Sequence, residues 1–498
     1  MGEYQKSTAI LEFTLNQNTR DIVEQLLKHD VKIIGFGVYI WNIKQTEEVV
    51  AMLKKIRPDI KVVLGGPEVS YETHLQNICK VADLTIQGEA DFLFYNVCKN
   101  YLEQNEWPDS GAKPVNAVSG VLPDIKTIKM PYVYYSDTDI KNRIIYVEAS
   151  RGCPYKCEYC LSSLDKSVRS FDIDLFLQEM QLLINRGARQ FKFVDRTFNL
   201  SISTSLKILN FFLDQVDLGL FLHFEMVPDR LPVELREVIA KFPKGALQFE
   251  IGIQTWSSEV SKNVSRRQDY SKVKENFLFL NGQTGVHTHA DLIVGLPGET
   301  IESFAQGFDE LYQCKPDEIQ VGILKRLRGT PIVRHDQEWQ MRYQDHAPYT
   351  VLSTKTMPFD TIQTMVRFAN FWDLVANSGN FKSTMSLFEA CAQENHNGSI
   401  FAEFMELTEF LTAKHPQGHS IALLSLVQSV WEYLKQKPNI NIELLREKLR
   451  FDYCERVKRD VPHFLRVEQD VQFTSKPVGA KYGKSSLVSR QNRHHAVN

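Results

Sequence analysis

Cys153, Cys157 and Cys160 fall within RGCPYKCEYC (151–160), at C-x3-C-x2-C spacing. Three thiolates within eight residues can close on one metal centre without bringing distant segments together. A cube of four irons takes four ligands when protein holds it completely. Three therefore leave one iron open to a ligand that is not protein, the logic of a catalytic site as against a closed structural one. A zinc knuckle is the alternative for the same thiols. Zinc sites usually draw four ligands as two separated pairs, and the remaining cysteines, Cys79, Cys98, Cys314, Cys391 and Cys454, are scattered singly. They read as core thiols.

The element that presents the cysteines is a short buried strand over 144–148, running into a glycine-containing loop. Alternating strand-like and helix-like segments follow for about 180 residues, at roughly one unit per 30 residues. Asp172 can cap the first helix, with Gly187 at its C-terminal end. QFKFV (190–194) delivers Asp195, Arg196 and Thr197; LFLHFEM (220–226) carries Glu225; LQFEIGIQT (247–255) carries Glu250 and Gln254. THADLIVGLPGE (288–299) and EIQVGIL (318–324) complete six β/α units. Six strands do not close as eight do, and in α/β barrels the reacting groups lie at the carboxyl ends of the strands. The cysteine loop, Asp195, Glu225, Glu250 and Gln254 all fall there.

This stretch resembles the radical S-adenosylmethionine (SAM) enzymes, whose defining loop has this cysteine spacing with an aromatic residue before the third cysteine, here Tyr159. The resemblance implies a partial (β/α)6 barrel and a 4Fe-4S cluster on Cys153, Cys157 and Cys160. SAM would be chelated at the open iron and cleaved to a 5′-deoxyadenosyl radical. It places the backbone around Tyr159 near the adenine, Asp195 and Thr197 toward the SAM ammonium, and Glu250 or Gln254 near the ribose. Arg266 or Arg267 would pair the SAM carboxylate, Arg266 being favoured by its spacing to Gln268. Gly295, Leu296, Pro297 and Gly298 match the adenine-side turn. For each polar residue the alternative is a strand-end charge that satisfies loop amides or forms a surface pair.

Ahead of the barrel, strands are expected over 9–14, 31–40, 60–70 and 84–91, with helices between them capped by Thr19 and Thr46. Such alternation makes a parallel, Rossmann-like sheet with its ligand crevice at the carboxyl strand ends. GFGVYIWN (35–42), GGPEVSYE (65–72) and QGEAD (87–91) resemble the loops of the cobalamin-binding domain found upstream of many radical SAM enzymes. Gly65, Gly66, Pro67, Gly88 and Glu89 would then lie against the cofactor, glycine letting backbone approach a flat ligand that a Cβ would hold away. No D-x-H-x-x-G motif offers a histidine to cobalt, and the chain starts late relative to the resemblance, which would leave a sheet edge bare. A structural Rossmann domain without cobalamin is the alternative.

The 498 residues, 43% hydrophobic, allow about three domains of roughly 150 residues. A net charge of −3 marks neither nucleic acid nor an anionic membrane as partner. With no long apolar run or signal-peptide pattern, a reducing cytoplasmic location is expected. The domain reading is 1–125 Rossmann-like, 126–142 linker, 143–335 partial barrel, 336–472 α-helical and 473–498 a disordered basic tail. The helical part, with Ile362, Met365, Val366, Ala369, Phe371, Trp372 and Val375 on one apolar face, resembles an extension in an uncharacterised subgroup of cobalamin-type radical SAM proteins. Together these resemblances imply a cytoplasmic enzyme that abstracts hydrogen from a small-molecule or peptide substrate and transfers methyl to carbon. Its electrons would come from a flavodoxin- or ferredoxin-type donor. Radical SAM chemistry without cobalamin and a non-catalytic iron–sulfur or SAM-binding regulator are the alternatives. RNA methylthiolation would want further clustered cysteines upstream.

Overall fold

Short β-branched runs ending in glycine build the N-terminal sheet. In this computed structural model, residues 2–111, 114–418, 420–455 and 459–467 are described, so the tail expected over 473–498 lies outside them. Strands β1 (Ile33–Gly37), β2 (Lys61–Gly65), β3 (Leu84–Gln87) and β4 (Ala117–Ser119) pair in parallel, in sequence order. Val62 and Leu64 pack with Ile43, Val50, Ile78 and Cys79 on one face, and Val63 packs with Ile86 and Val97 on the other. Both faces are covered, as parallel sheets require.

Several local expectations change. No strand forms over 9–14: Gln45 Nε2 donates to the carbonyls of Thr14, Leu15 and Gln17, and Ile10 and Leu11 stay exposed. Asn18, not Thr19, caps the helix Thr19–Leu27, and Thr46 lies inside the helix Ile43–Ile56. The helix Asp91–Gln104 and β4 fall where the pattern was weak. Only Val97 of that helix is fully buried, so it shows little apolar period.

Strand β5 (Ile145–Val147) opens the barrel, followed by a small antiparallel hairpin, β6 (Ser150–Arg151) with β7 (Arg169–Ser170). Then come β8 (Gln190–Phe193), β9 (Phe221–Met226), β10 (Leu247–Gln254), β11 (His287–Val294) and β12 (Glu318–Ile323). The order β12-β11-β10-β9-β8-β5 is parallel throughout, giving the expected six-strand α/β arrangement with β5 and β12 as its two edges. Along β10, Leu247, Phe249, Ile251 and Ile253 are buried against the helices, while Gln248, Glu250, Gly252 and Gln254 alternate toward the interior.

The segment 126–142 includes the helix Asp137–Asn142, closed by a Ser136/Asp139 capping box. Beyond the barrel the chain is helical, as expected: Phe359–Trp372, Met385–Asn395, Ile400–Lys414, Leu423–Leu434 and Ile442–Arg450. On the first of these, Phe368 is buried and Val366 is 40% exposed, so the apolar face is turned slightly from the expected one. Trp372 packs edge-on against Phe308 of the barrel helix Ile301–Gln313 at 4.7 Å, and one continuous core joins barrel and helices.

Candidate functional site

The cysteine loop is tied down at both ends and in the middle. Gly152 has φ 90°, and a Cβ there would meet Ser167 O at 2.0 Å, so the turn into the loop requires glycine. Cys153 N–H donates to Asp165 O, and Cys160 N–H to Cys157 O, each at 3.1 Å. Glu158, inside the loop, is buried: its carboxylate takes His335 Nε2 at 2.9 Å, Arg334 Nη2 at 2.5 Å and the Ser265 hydroxyl. Its backbone bonds Val264 O at 3.2 Å and Ile332 N–H at 3.0 Å. Cys153 and Cys157 are buried, and burial pushes the Cys153 thiol up.

The donor set fits a cluster better than one ion. A tetrahedral zinc with bonds of ~2.3 Å holds its sulfurs about 4 Å apart. Among the described residues, the metal-type group gathered within 4.8 Å is His396, Glu403 and Glu406, not the cysteine trio. In that other group Lys437 Nζ stands 2.9 Å from Glu403 and 2.6 Å from Glu406, an ammonium already in the cation's place.

Around the loop the interior of the barrel is polar. The Asp195 carboxylate accepts from Ala149 N–H at 2.9 Å and Ser150 Oγ at 2.6 Å, so it fixes the start of the loop; burial raises it to about 6. Thr197 Oγ1 lies 4.0 Å from Cys153 Sγ. Glu250 is bonded by His223 Nε2 at 3.0 Å with Lys192 Nζ at 3.5 Å, and that hydrogen bond first, despite burial, holds it down to about 2. Asp291, across from it on β11, goes the other way: burial and the facing Glu250 and Glu225 carboxylates raise it well above the usual range. Glu225 pairs with Arg196 at 3.6 Å. Gln254 sits at a β-bulge with φ 72°, which re-aims its side chain. Tyr159, Glu250, Gln254, Asp291, Gln320 and Lys325 line a cavity of about 310 Å³. The Tyr159 hydroxyl is buried near Arg266 and Cys157, and Asp291 Oδ1 is buried 3.6 Å from His289 Nε2.

Arg266 comes to the cysteines. Its Nη1 is 3.4 Å from Cys157 Sγ, and Nη2 donates to Gly252 O and, at 3.2 Å, to Gln268 Oε1. The Gly295–Gly298 turn packs against protein at two points. A Cβ on Gly295 would meet Val351 Cγ1 at 2.6 Å, and Pro297 O accepts from Asn263 Nδ2 at 2.9 Å.

The N-terminal crevice divides into open and closed glycines. A Cβ on Gly65 or Gly88 would meet nothing within 4 Å, whereas on Gly66, ahead of Pro67, it would strike Val38 O at 2.5 Å. Open backbone at two strand ends leaves room for a flat ligand. Glu89, expected to face that ligand, pairs with Arg151 at 2.9 Å and with Arg169, one on each strand of the cysteine hairpin. Glu68 and Glu72 engage Arg328 at 3.0 and 2.9 Å, and Tyr349 Oη donates to Glu68 at 2.6 Å.

Lys192, His223 and Asp291 were missed by sequence reasoning, although period-two alternation from Glu250 and its neighbours could have found them. Nothing local announced the partners of the arginines at 151, 169, 326 and 328.

Residues 147–311 match the radical SAM superfamily, residues 6–97 the B12 binding domain, and residues 337–486 a family described only as a protein of unknown function, DUF4080. The chain is 21% identical over 518 residues to the cobalamin-dependent radical SAM methyltransferase TokK of Streptomyces tokunonensis, covering 93% of this chain and 70% of that protein. It is 24% identical to an uncharacterized methyltransferase of Pyrococcus horikoshii, over 70% and 78%. Among solved structures, the cobalamin-dependent SAM radical enzyme OxsB with aqua-cobalamin bound superposes with a TM-score of 0.58 at 14% identity, over 88% of this chain and 77% of that one. A B12-binding domain precedes a radical SAM domain, and the similar proteins include cobalamin-dependent radical SAM enzymes.

Proposed function

We propose that this radical SAM protein with a B12-binding domain binds a 4Fe-4S cluster, SAM and cobalamin, and transfers methyl to a carbon of a small-molecule or peptide substrate. The observation that carries this reading is Glu89: the loop beside the open glycine crevice grips both strands of the hairpin that holds the cysteines. Two cofactor sites then share one mouth.

When bound, the cluster supplies the electron that cleaves the SAM sulfonium and cobalamin supplies the methyl group, the difficult chemistry being theirs. The chain's part is to hold and orient. Cys153, Cys157 and Cys160 ligate the cluster, while Asp195 fixes the entry to their loop and leaves Thr197 beside it. Arg266 sets a buried positive charge beside Cys157 that would pair the SAM carboxylate. Tyr159 and Gln254 bound the adenosine side of the cavity, and Glu250 with Asp291 forms its polar floor. Gly65, Gly66, Pro67 and Gly88 form the cobalamin cradle, whereas Gly295 and Pro297 support the barrel's fifth turn.

The working division is 1–125 for cobalamin, 126–142 as connection, 143–335 for cluster and SAM, and 336–472 as a helical buttress. No described helix is long and apolar enough to cross a membrane. A cytoplasmic location with a flavodoxin- or ferredoxin-type donor suits the chemistry.

The test is anaerobic reconstitution with iron, sulfide and cobalamin, then desalting, reduction and assay of 5′-deoxyadenosine from SAM. Cleavage with retained cobalamin supports the proposal. Cleavage without retention points to cobalamin-free radical chemistry, iron without cleavage to a regulator, and bound zinc overturns the reading.

A further inference from the structure

The barrel sheet ends at two edge strands, β5 and β12, and the acids of the N-terminal crevice loops reach the chain just beyond each of them. After β5, Arg151 takes Glu89 at 2.9 Å and Asp91 at 3.0 Å, and Arg169 takes Glu89 again. After β12, Arg326 reaches Glu72 at 3.3 Å. Arg328 lies against the Tyr349 ring, 4.8 Å from its centroid, with Glu68 and Glu72 on its fork. Glu68 is buried, so this is no rim pair. Glu68 and Glu89 are each within three residues of an open glycine, Gly65 and Gly88.

The β12 side continues inward. From Arg328 the chain passes Gly329, where a Cβ would strike the Tyr71 ring at 2.3 Å, and Thr330, 1% exposed. It then reaches Ile332, Arg334 and His335, which hold Glu158 between Cys157 and Tyr159. Residues 326–335 therefore form one strap, gripped by the B12-type loop at one end and by the cysteine loop at the other.

We propose that Arg328 is a positioning residue: through this strap it sets the cobalamin crevice against the cysteine loop, and the N-terminal domain is the clasp across the barrel's open side. The proposal rests on the cofactor assignment above only for its purpose; the mechanical link is a property of the chain itself. Arg is needed over Lys because two carboxylates and a phenol are met by one planar fork.

Hydrogen exchange on the reconstituted full-length protein tests the link. Arg328→Ala is expected to raise amide exchange about tenfold or more in 65–72 and also in 152–165, which Arg328 does not touch, and to leave the distant helix Ile442–Arg450 unchanged. Arg328→Lys should give a partial effect. Tyr349→Phe, which keeps the ring and removes only the hydroxyl, is the milder variant should the alanine form fail to fold. A second readout is the magnetic coupling between the reduced cluster and cob(II)alamin, expected to change in distance or spread while the iron and cobalamin contents stay at wild-type levels. A rise confined to 65–72, in whichever variant folds, overturns the proposal. Failure of the wild type to retain cobalamin would instead sink the cofactor assignment, and the exchange comparison would still decide the strap.

Discussion

Arg266 places Nη1 3.4 Å from Cys157 Sγ, at the one cysteine whose neighbour Glu158 is also anchored across the barrel. A guanidinium so placed adds positive charge at the cluster position without supplying a ligand. Arg266→Gln is expected to retain iron and sulfide yet weaken SAM binding by about tenfold or more, the scale of one lost charge-assisted hydrogen bond. Equilibrium binding of SAM to reconstituted protein checks this, and unchanged affinity would remove Arg266 from the site.

Replacing Cys157 with serine should lower reconstituted iron from about four atoms per chain to a small fraction and abolish 5′-deoxyadenosine formation. Iron and sulfide analysis beside the SAM assay decides it. Full iron loading with intact cleavage in that variant would mean that the trio is not the cluster's ligand set.

The glycines of the N-terminal crevice separate binding from folding. A Cβ at Gly65 meets no protein atom within 4 Å, so Gly65→Val should melt within a degree or two of wild type while losing cobalamin on desalting. Gly66→Ala should instead destabilise by about 1–3 kcal/mol, since φ is 106° and its Cβ would press on Val38 O. Thermal melts with and without cobalamin distinguish the two. Retention by the valine variant would place the ligand elsewhere.

Glu299 follows the Gly295–Gly298 turn with 1% exposure; burial raises its carboxyl to about 8, offset only in part by Thr255 Oγ1 at 2.6 Å. A folded-state value above the unfolded one means that the native state binds the extra proton. Its stabilisation is complete below about pH 4.5, declines as pH rises and is gone above about 8. Glu299→Gln, neutral throughout, should therefore gain on wild type between pH 5 and 8. Melting temperatures across that window give the difference, and parallel curves would contradict it.

Much of this was readable from local pattern. Cysteine spacing, six strand-like runs and the glycine turns at 65–67 and 88 are short-range signals, and they led to the parallel sheets, the open barrel and the residues at its mouth. What escaped depends on distance in sequence. Ala9 to Thr14 has strand-like alternation, yet Gln45 claims the carbonyls at its end. Nothing near Glu89 in sequence announces its pairs with Arg151 and Arg169. Nor does anything near Asp195 in sequence announce the hydrogen bonds it takes from Ala149 N–H and Ser150 Oγ. The pairing of Arg328 was invisible because its acidic partners lie some 250 residues earlier.

Phe308 belongs to the barrel and Trp372 to the helical part, and they are sealed edge to face. Cutting the chain after residue 335 would thus strip the cover from the barrel's own helix and leave greasy rings in water. Barrel and helices should melt as one cooperative block, with a single calorimetric transition. A trimmed version should precipitate, so the helical family of unknown function is bound up with the fate of the fold whatever else it does.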